Sequence, residues 1–405
     1  MKMSLFAAVP AAALALAAAA QAQSVSDDVV RIGVLTDLAG VYSAASGMGA
    51  VRAAEMAAAD FGGKVLGKPI EVIYADHQNK PDIGVSKVRE WIDVRKVDMV
   101  LDLVNSGVAV PVQKAASEKK RITITTAGGT VALTQQECTA YGIHYAYDTY
   151  SLANGASNAL LAEGAKNWFF ITADYTFGHQ LEKDARAVVE RGGGKVVGAT
   201  RHPLGASDFS SFVIQAQAAK PEVIAFANGA GDFANAVKSA RQFNVVGGEG
   251  KPRMVGLLVL LTDVKSVGLD TMQGMQYVDP WYWDYDADTR AFAERFQKVQ
   301  RSVPTFSQAA NYSAVIQYLK AVEAAGTDNS DAVMRQLRST KFNDMFLRNA
   351  YLRADGRMVR DMYLMEAKKP SESKGEWDLA RVKRVIPGEE AFMPLAQSAC
   401  PLVRK

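Results

Sequence analysis

Few side chains in this sequence have the type and spacing that make or break bonds. The four histidines, at 77, 144, 179 and 202, are scattered and have no partners at metal-ligand intervals. There is no G-x-S-x-G nucleophile elbow and no Walker phosphate loop. Gly47-Met48-Gly49 lies near a helix start but lacks a third glycine, and about ten residues separate it from the preceding strand, too far for a dinucleotide turn. Catalysis, a metal and a cofactor are therefore not expected. Glu118-Lys119-Lys120-Arg121 reads as a solvated helix end. Asn311-Tyr312-Ser313 matches a glycosylation triplet but falls at a helical position. The densest aromatic cluster is Trp281-Tyr282-Trp283-Asp284, after Asp279-Pro280. Flat rings of this kind either wall a small-molecule cleft or fill a core, and both readings stay open. The same holds for Tyr145, Tyr147, Asp148 and Tyr150.

Composition narrows the class. The 405 residues carry 46 Lys+Arg against 43 Asp+Glu, with 49% hydrophobic and 22% charged residues. That balance excludes long disorder, and a net charge of +3 without a basic stripe argues against nucleic acid. Residues 1–22, MKMSLFAAVPAAALALAAAAQA, place one Lys before an apolar stretch and end on Ala20-Gln21-Ala22, the pattern of a secretory signal peptide cut before Gln23. Much of the run is weakly hydrophobic Ala, which disfavours a membrane anchor. Export to a bacterial periplasm is expected. In that oxidising compartment the two cysteines, Cys138 and Cys400, read as a disulfide, with two unrelated buried thiols as the alternative. Two cysteines are too few for a disulfide scaffold, a zinc ribbon or an iron–sulfur site.

The elements that must position any site alternate. Apolar β-branched runs at 29–35, 70–75, 99–104 and 122–126 are separated by amphipathic stretches at 46–61, 82–95 and 108–119. A second series has strands at 168–173, 195–200, 223–227 and 254–261, with helices at 177–191, 208–219 and 231–243. Alternating βαβ units imply an α/β fold of parallel sheets covered on both faces, here in two doubly wound lobes. Helices at 289–301 and 307–324 follow both series, so the chain is expected to cross back between lobes. The expected division is 28–146 with about 280–350 for the first lobe, 147–279 with about 351–395 for the second, and 396–405 as a C-terminal tail.

At this point the sequence resembles the periplasmic substrate-binding proteins of ABC transporters of the branched-chain amino-acid type. The resemblance rests on RIGVLTDLAGVYSAASGMGAVRAAEMAAADFGG, GKPIEVIYADHQNKPDIGVSKVREWID, ITITTAGGTVALT, FFITADYTFGHQLEKDA and SDFSSFVIQAQAAKPEVIAF, in family order over essentially the whole mature chain. Two departures stand out. Thr125-Thr126 replaces the usual Ser-Pro, and Leu257-Leu258 falls where an acidic partner for an amino group is common.

The resemblance implies two lobes joined by three crossings, with a ligand held in the cleft and closure sensed by a membrane permease. It implies a non-enzymatic receptor that is monomeric and partnered by permease subunits. Open α/β sheets bind ligands beyond the carboxyl ends of their strands. The candidate site residues are therefore Tyr42, Ser43, Asn105, Ser106, Ala127, Gly128, Gly129 and Thr130 from the first lobe. Tyr150, Tyr175, Phe177, Asn228, Leu258 and Trp281 come from the second lobe and the crossings. By resemblance, the loops at Ser106 and Gly128–Thr130 hold a carboxylate, although Ser and Thr there also read as helix caps. Leu257 and Leu258 leave an ammonium without its usual partner, which favours an aromatic or other apolar organic acid over leucine. Asp148 or Asp174 could substitute as that partner. An amino-acid (branched-chain or amide) binding protein remains as an alternative reading, as do a ligand sensor and a secreted α/β enzyme, the last two disfavoured by the signal peptide and by the missing nucleophile.

Overall fold

Short β-branched runs become strands, and their burial on both faces assembles them into two parallel sheets. The computed structural model describes residues 25–247 and 250–403; the expected signal peptide lies outside them. The first sheet contains β1 (Val30–Thr36), β2 (Lys64–Val65), β3 (Lys68–Asp76), β4 (Met99–Asp102), β5 (Ile122–Thr125) and β6 (Gly142–His144), in the order β2-β3-β1-β4-β5-β6. All its pairings are parallel except the β2–β3 hairpin. Val30, Ile32 and Val34 face the helices Gly47–Asp60 and Phe306–Ala325. Leu35 and Val100 face the helices Pro81–Asp93 and Ser106–Glu118. Gly33 has no side chain because Trp91 lies over it: a Cβ there would meet the indole at 2.6 Å.

The second sheet contains β7 (Asn167–Ala173), β8 (Lys195–His202), β9 (Val223–Ala227) and β10 (Arg253–Gly256), in the parallel order β10-β9-β7-β8. Phe169, Ile171 and Phe226 pack with Phe209, Val213 and Phe233 on one face. Beside this sheet, β11 (Gln276–Asp279) belongs to a three-stranded antiparallel sheet completed late in the chain. The strands β12 (Lys341–Phe342), β13 (Ala350–Leu352) and β14 (Met358–Val359) form a small sheet beside the first lobe, where Arg357 bridges to His144. The last strands, β15 (Met362–Ala367) and β16 (Ala380–Ile386), return to β11.

From strand to strand, up to β16, the chain moves between the two halves three times, at residues 145–148, 280–286 and 360–361. The helices Ala287–Gln300 and Phe306–Ala325 pack on Gly47–Asp60 of the first lobe. The β13–β14 ladder lies beside His144, and β15 is the next strand to pair with β11. Residues 257–260 leave the sheet at Gly256 instead of extending the strand to 261. The helix Thr149–Ala162 is an element that the sequence reading left unassigned. Cys138 and Cys400 form a disulfide, their Cα atoms 5.6 Å apart. Among the described residues no helix is long and apolar enough to cross a membrane.

Burial also sets how stability responds to pH. It pushes the carboxyl of Asp279 up to about 8 and those of Asp98 and Asp263 up to about 7. A carboxyl whose folded pKa exceeds its unfolded value binds its proton more tightly when folded, so its contribution is full at low pH and is lost as pH rises through the folded value. Burial holds the imidazoles of His77, His144 and His202 below their usual range, and their contribution is already full above about pH 6.5. Among the described residues the buried carboxyls therefore dominate between pH 6.5 and 8.5, and the melting temperature is expected to fall over that interval. Scanning calorimetry at both ends checks this; a rise would contradict it.

Candidate ligand site

The loops beyond the carboxyl ends of β1, β4, β5, β7, β9 and β10 face each other and meet at a narrow cavity that is partly open to solvent. Its first-lobe wall is Tyr42, Ala45, Val104, Ala127 and Ser307, with Tyr147 from the first passage and Phe306 from the helix after the second. Its second-lobe wall is Tyr175, Phe177, Ala230, Leu258 and Leu260.

Local sequence explains how each ring is held. Asp37, at the end of β1, accepts hydrogen bonds from the Gly40 and Tyr42 N–H groups at 2.6 and 2.9 Å and from Asn79 Nδ2 at 2.8 Å. This folds the loop and aims Tyr42 into the cleft. Tyr147 donates its hydroxyl to the Ala127 carbonyl at 2.6 Å and sets its ring edge-on to Phe306 at 5.0 Å. Phe306 and Ser307 begin a helix capped reciprocally by Thr305 and Gln308. Below them, the Asp102 carboxylate accepts from Asn311 Nδ2 at 2.9 Å and from the Ser46 and Ser307 hydroxyls. The hydroxyls of Tyr42 and Tyr175 hydrogen-bond to each other directly across the cleft. A Cβ on Gly129 would stand 2.7 Å from the Tyr147 ring and 2.8 Å from the Phe177 ring, so this close approach requires glycine.

No charged side chain lines the cavity. Burial raises the Tyr42, Tyr147 and Tyr175 hydroxyls far above the ordinary phenol range, keeping them neutral donors. The helices Thr176–Arg191, Ala230–Gln242 and Phe306–Ala325 begin at the wall. Tyr175 does not cap its helix with a side chain, which leaves first-turn N–H groups there for solvent or ligand, whereas in the helix Ala230–Gln242 the Ala230 N–H is taken by the Asp263 carboxyl. The resulting environment is apolar and flat-walled, with positive helix ends and no side-chain cation.

Of the residues expected from the sequence, Tyr42, Ala127, Tyr175, Phe177 and Leu258 are brought together on the cavity wall. Ser106 and Gly129 stand just behind it, where the Ser106 hydroxyl accepts from the Gly129 and Thr130 N–H groups, both at 3.2 Å. Thr130 caps the turn Val131–Thr134 and Asn105 caps the helix Ser106–Glu118, which commits both side chains locally. Gly128 is closed in by its own lobe: a Cβ would meet the Leu103 carbonyl at 2.5 Å. Ser43 is turned outward, donating to the Gly40 carbonyl at 2.7 Å. Asn228 donates to His202 Nε2 at 3.0 Å, away from the wall. Tyr150 lies half-buried on the helix Thr149–Ala162, outside the lining.

Trp281 is not at the cavity. Its ring packs edge-on against Phe292 at 6.1 Å, and its Nε1 donates to the Met345 carbonyl at 3.0 Å. Ala45, Val104, Leu260, Phe306 and Ser307 lie on the wall without a forewarning in the sequence, whereas Ala230 follows Asn228 on a strand-end loop. The small and aliphatic ones carry no sequence signal, whereas the capping pair Thr305 and Gln308 marks the helix start that delivers Phe306 and Ser307.

A family model described as periplasmic binding protein matches residues 29–376. The structure is similar to a periplasmic binding protein from Burkholderia mallei, with 48% identity, a TM-score of 0.91, and coverage of 93% of this chain and 100% of that one. It is also similar to a branched chain amino acid ABC transporter periplasmic ligand-binding protein from Burkholderia xenovorans LB400, with 40% identity, a TM-score of 0.81, and coverage of 92% and 99%. A solute-binding protein of an ABC transporter from Rhodopseudomonas palustris, solved in complex with benzoate, shares the fold at 20% identity and a TM-score of 0.79, with coverage of 89% and 97%.

Proposed function

The chain belongs to the periplasmic binding protein family, and from that premise we propose that its ligand is a small organic acid with an aromatic ring. The family makes it a substrate-binding protein of an ABC transporter and not an enzyme, with a small-molecule ligand and permease subunits as partners. In this reading the ring lies among Tyr42, Tyr147, Tyr175, Phe177 and Phe306. The carboxylate meets helix N-termini and tyrosine hydroxyls in place of a cation. The observation that carries it is a wall rich in aromatic rings with no ionised side chain. The lobes close as a ligand bridges them, and the closed form, monomeric and periplasmic, is what the permease reads.

A second reading is an amino acid. The carboxylates of Asp37 and Asp232 are close enough to raise the Tyr42 hydroxyl, so negative charge lies near the cavity. Yet Asp37 is committed to Gly40, Tyr42 and Asn79, and Asp232 to Gly205. A buried ammonium would be left without a direct partner at a cost of several kcal/mol. Thermal unfolding with benzoate, 4-hydroxybenzoate, leucine, isoleucine and valine separates the two readings. A ligand at 100 times its dissociation constant stabilises by about 2.7 kcal/mol. The aromatic acids are expected to give the shift, and a largest shift from a branched-chain amino acid would overturn the proposal.

A further inference from the structure

The C-terminal segment makes a connection that three passages between lobes do not account for. After β16, in the second lobe, the short helix Gly388–Ala391 packs against the helix Thr149–Ala162. From Phe392 onward the contacts belong to the first lobe. The Arg357 guanidinium lies over the Phe392 ring at 4.5 Å, and Arg353 Nη1 donates to the Met393 carbonyl at 2.8 Å. The Ala399 N–H donates to Gln135 Oε1 at 2.7 Å, and Cys400 is bonded to Cys138. The turn into this segment lies on the third passage. The Gly388 N–H donates to Asp361 Oδ1 at 3.1 Å, and a Cβ on Gly388 would meet the Arg360 carbonyl at 2.8 Å.

Arg357 joins the segment to the site. The same buried guanidinium that covers Phe392 donates to the Tyr147 carbonyl at 2.9 Å and pairs with Asp148 at 3.4 Å, both in the first passage. Tyr147 is also a wall of the cavity. A rotation that separates the lobes must therefore displace the tail from Arg357, or drag the turn at Gly388 with the second lobe.

We propose that the Cys138–Cys400 disulfide makes the C-terminal tail a fourth connection between the lobes, one that opposes opening of the cleft and is lost on reduction. With the bond intact, the tail's far end is fixed and its contacts at Phe392 and Met393 are held at high effective concentration. Reduction by dithiothreitol transfers two electrons and two protons to give two thiols, while the reagent closes to its cyclic disulfide. The tail is then held by hydrogen bonds and one ring contact, and it can peel away as the second lobe turns.

The test needs no ligand. Small-angle scattering and amide hydrogen exchange are measured on the unliganded wild type, on the C138S/C400S variant, and on wild type reduced with dithiothreitol while folded. The expected result is a larger radius of gyration and about tenfold faster exchange at residues 145–148, 280–286 and 360–361 in the variant and the reduced protein. If the variant fails to fold, the reduced wild type carries the measurement. An unchanged radius and unchanged exchange at the passages overturn the proposal, even with a lower melting temperature, because the bond would then staple the first lobe alone. Failure of every aromatic acid to bind would overturn the ligand reading and leave this result standing.

Discussion

Replacing Trp281 by alanine is expected to lower folding stability by about 3–5 kcal/mol while leaving ligand affinity of the folded protein unchanged. The indole is 3% exposed and packs on Phe292, which in turn lies against Phe296 at 5.9 Å and Tyr312 at 4.8 Å. Truncation removes that packing and leaves the Met345 carbonyl without its donor. The site of damage is the second passage and the helices behind it, not the cavity wall. Urea unfolding and ligand titration on the same variant give both quantities. A large loss of affinity at undiminished stability would put the indole in the cleft after all.

That tryptophan also marks how far sequence reasoning reaches. Strands buried on both faces announce themselves as short β-branched runs, so β1, β7 and β9 were legible to within a residue or two. Where apolar character continues past the strand, the end is hidden: residues 254–261 read as one run, yet only the part to Gly256 is paired. Leu258 and Leu260 are buried because they wall a cavity, and burial alone looks the same as a strand. The helix Thr149–Ala162 was illegible for the opposite reason. Its inward face, Leu152, Ala156 and Leu160, is diluted by Gly, Ser and Ala that fit under neighbours, as at Gly155, where a Cβ would meet Val278 at 2.1 Å.

The candidate site was legible at the level of loops. Tyr42, Ala127, Tyr175 and Phe177 follow strands that could be placed, and the rule that α/β sheets bind at carboxyl ends does the rest. Asn105 and Thr130 sit on the same loops, but their side chains serve the backbone. A cap and a ligand donor use the same residue types, so sequence alone leaves both readings open. Phe306 and Ser307 arrive from a later part of the chain, and only the second passage shows that their helix starts at the cleft.

The two neighbouring glycines of the first-lobe loop are expected to behave differently, and this bears directly on how the receptor works. Valine at Gly128 would drive its Cβ toward the Leu103 carbonyl and the Ala109 Cβ, both within the first lobe, so its main effect is on stability. Valine at Gly129 meets the Phe177 ring of the second lobe and Tyr147 at the passage. Overpacking of this kind costs about 1–3 kcal/mol. The share that falls on Phe177 is charged to the closed state alone, and it lowers the closed population, and with it the apparent affinity, by about tenfold. The open form is freed from Phe177 but keeps the contact with Tyr147, which its hydroxyl ties to Ala127, so unfolding measured without ligand should show only the Tyr147 share of the cost. Removing the obstacle supplies the control. If Phe177 is what Gly129→Val strikes, the double variant with Phe177→Ala should bind no more weakly than Phe177→Ala alone, a coupling that a double-mutant cycle reads directly. Strictly additive losses would mean that the valine acts inside its own lobe, and that Phe177 does not close over Gly129 when ligand is held.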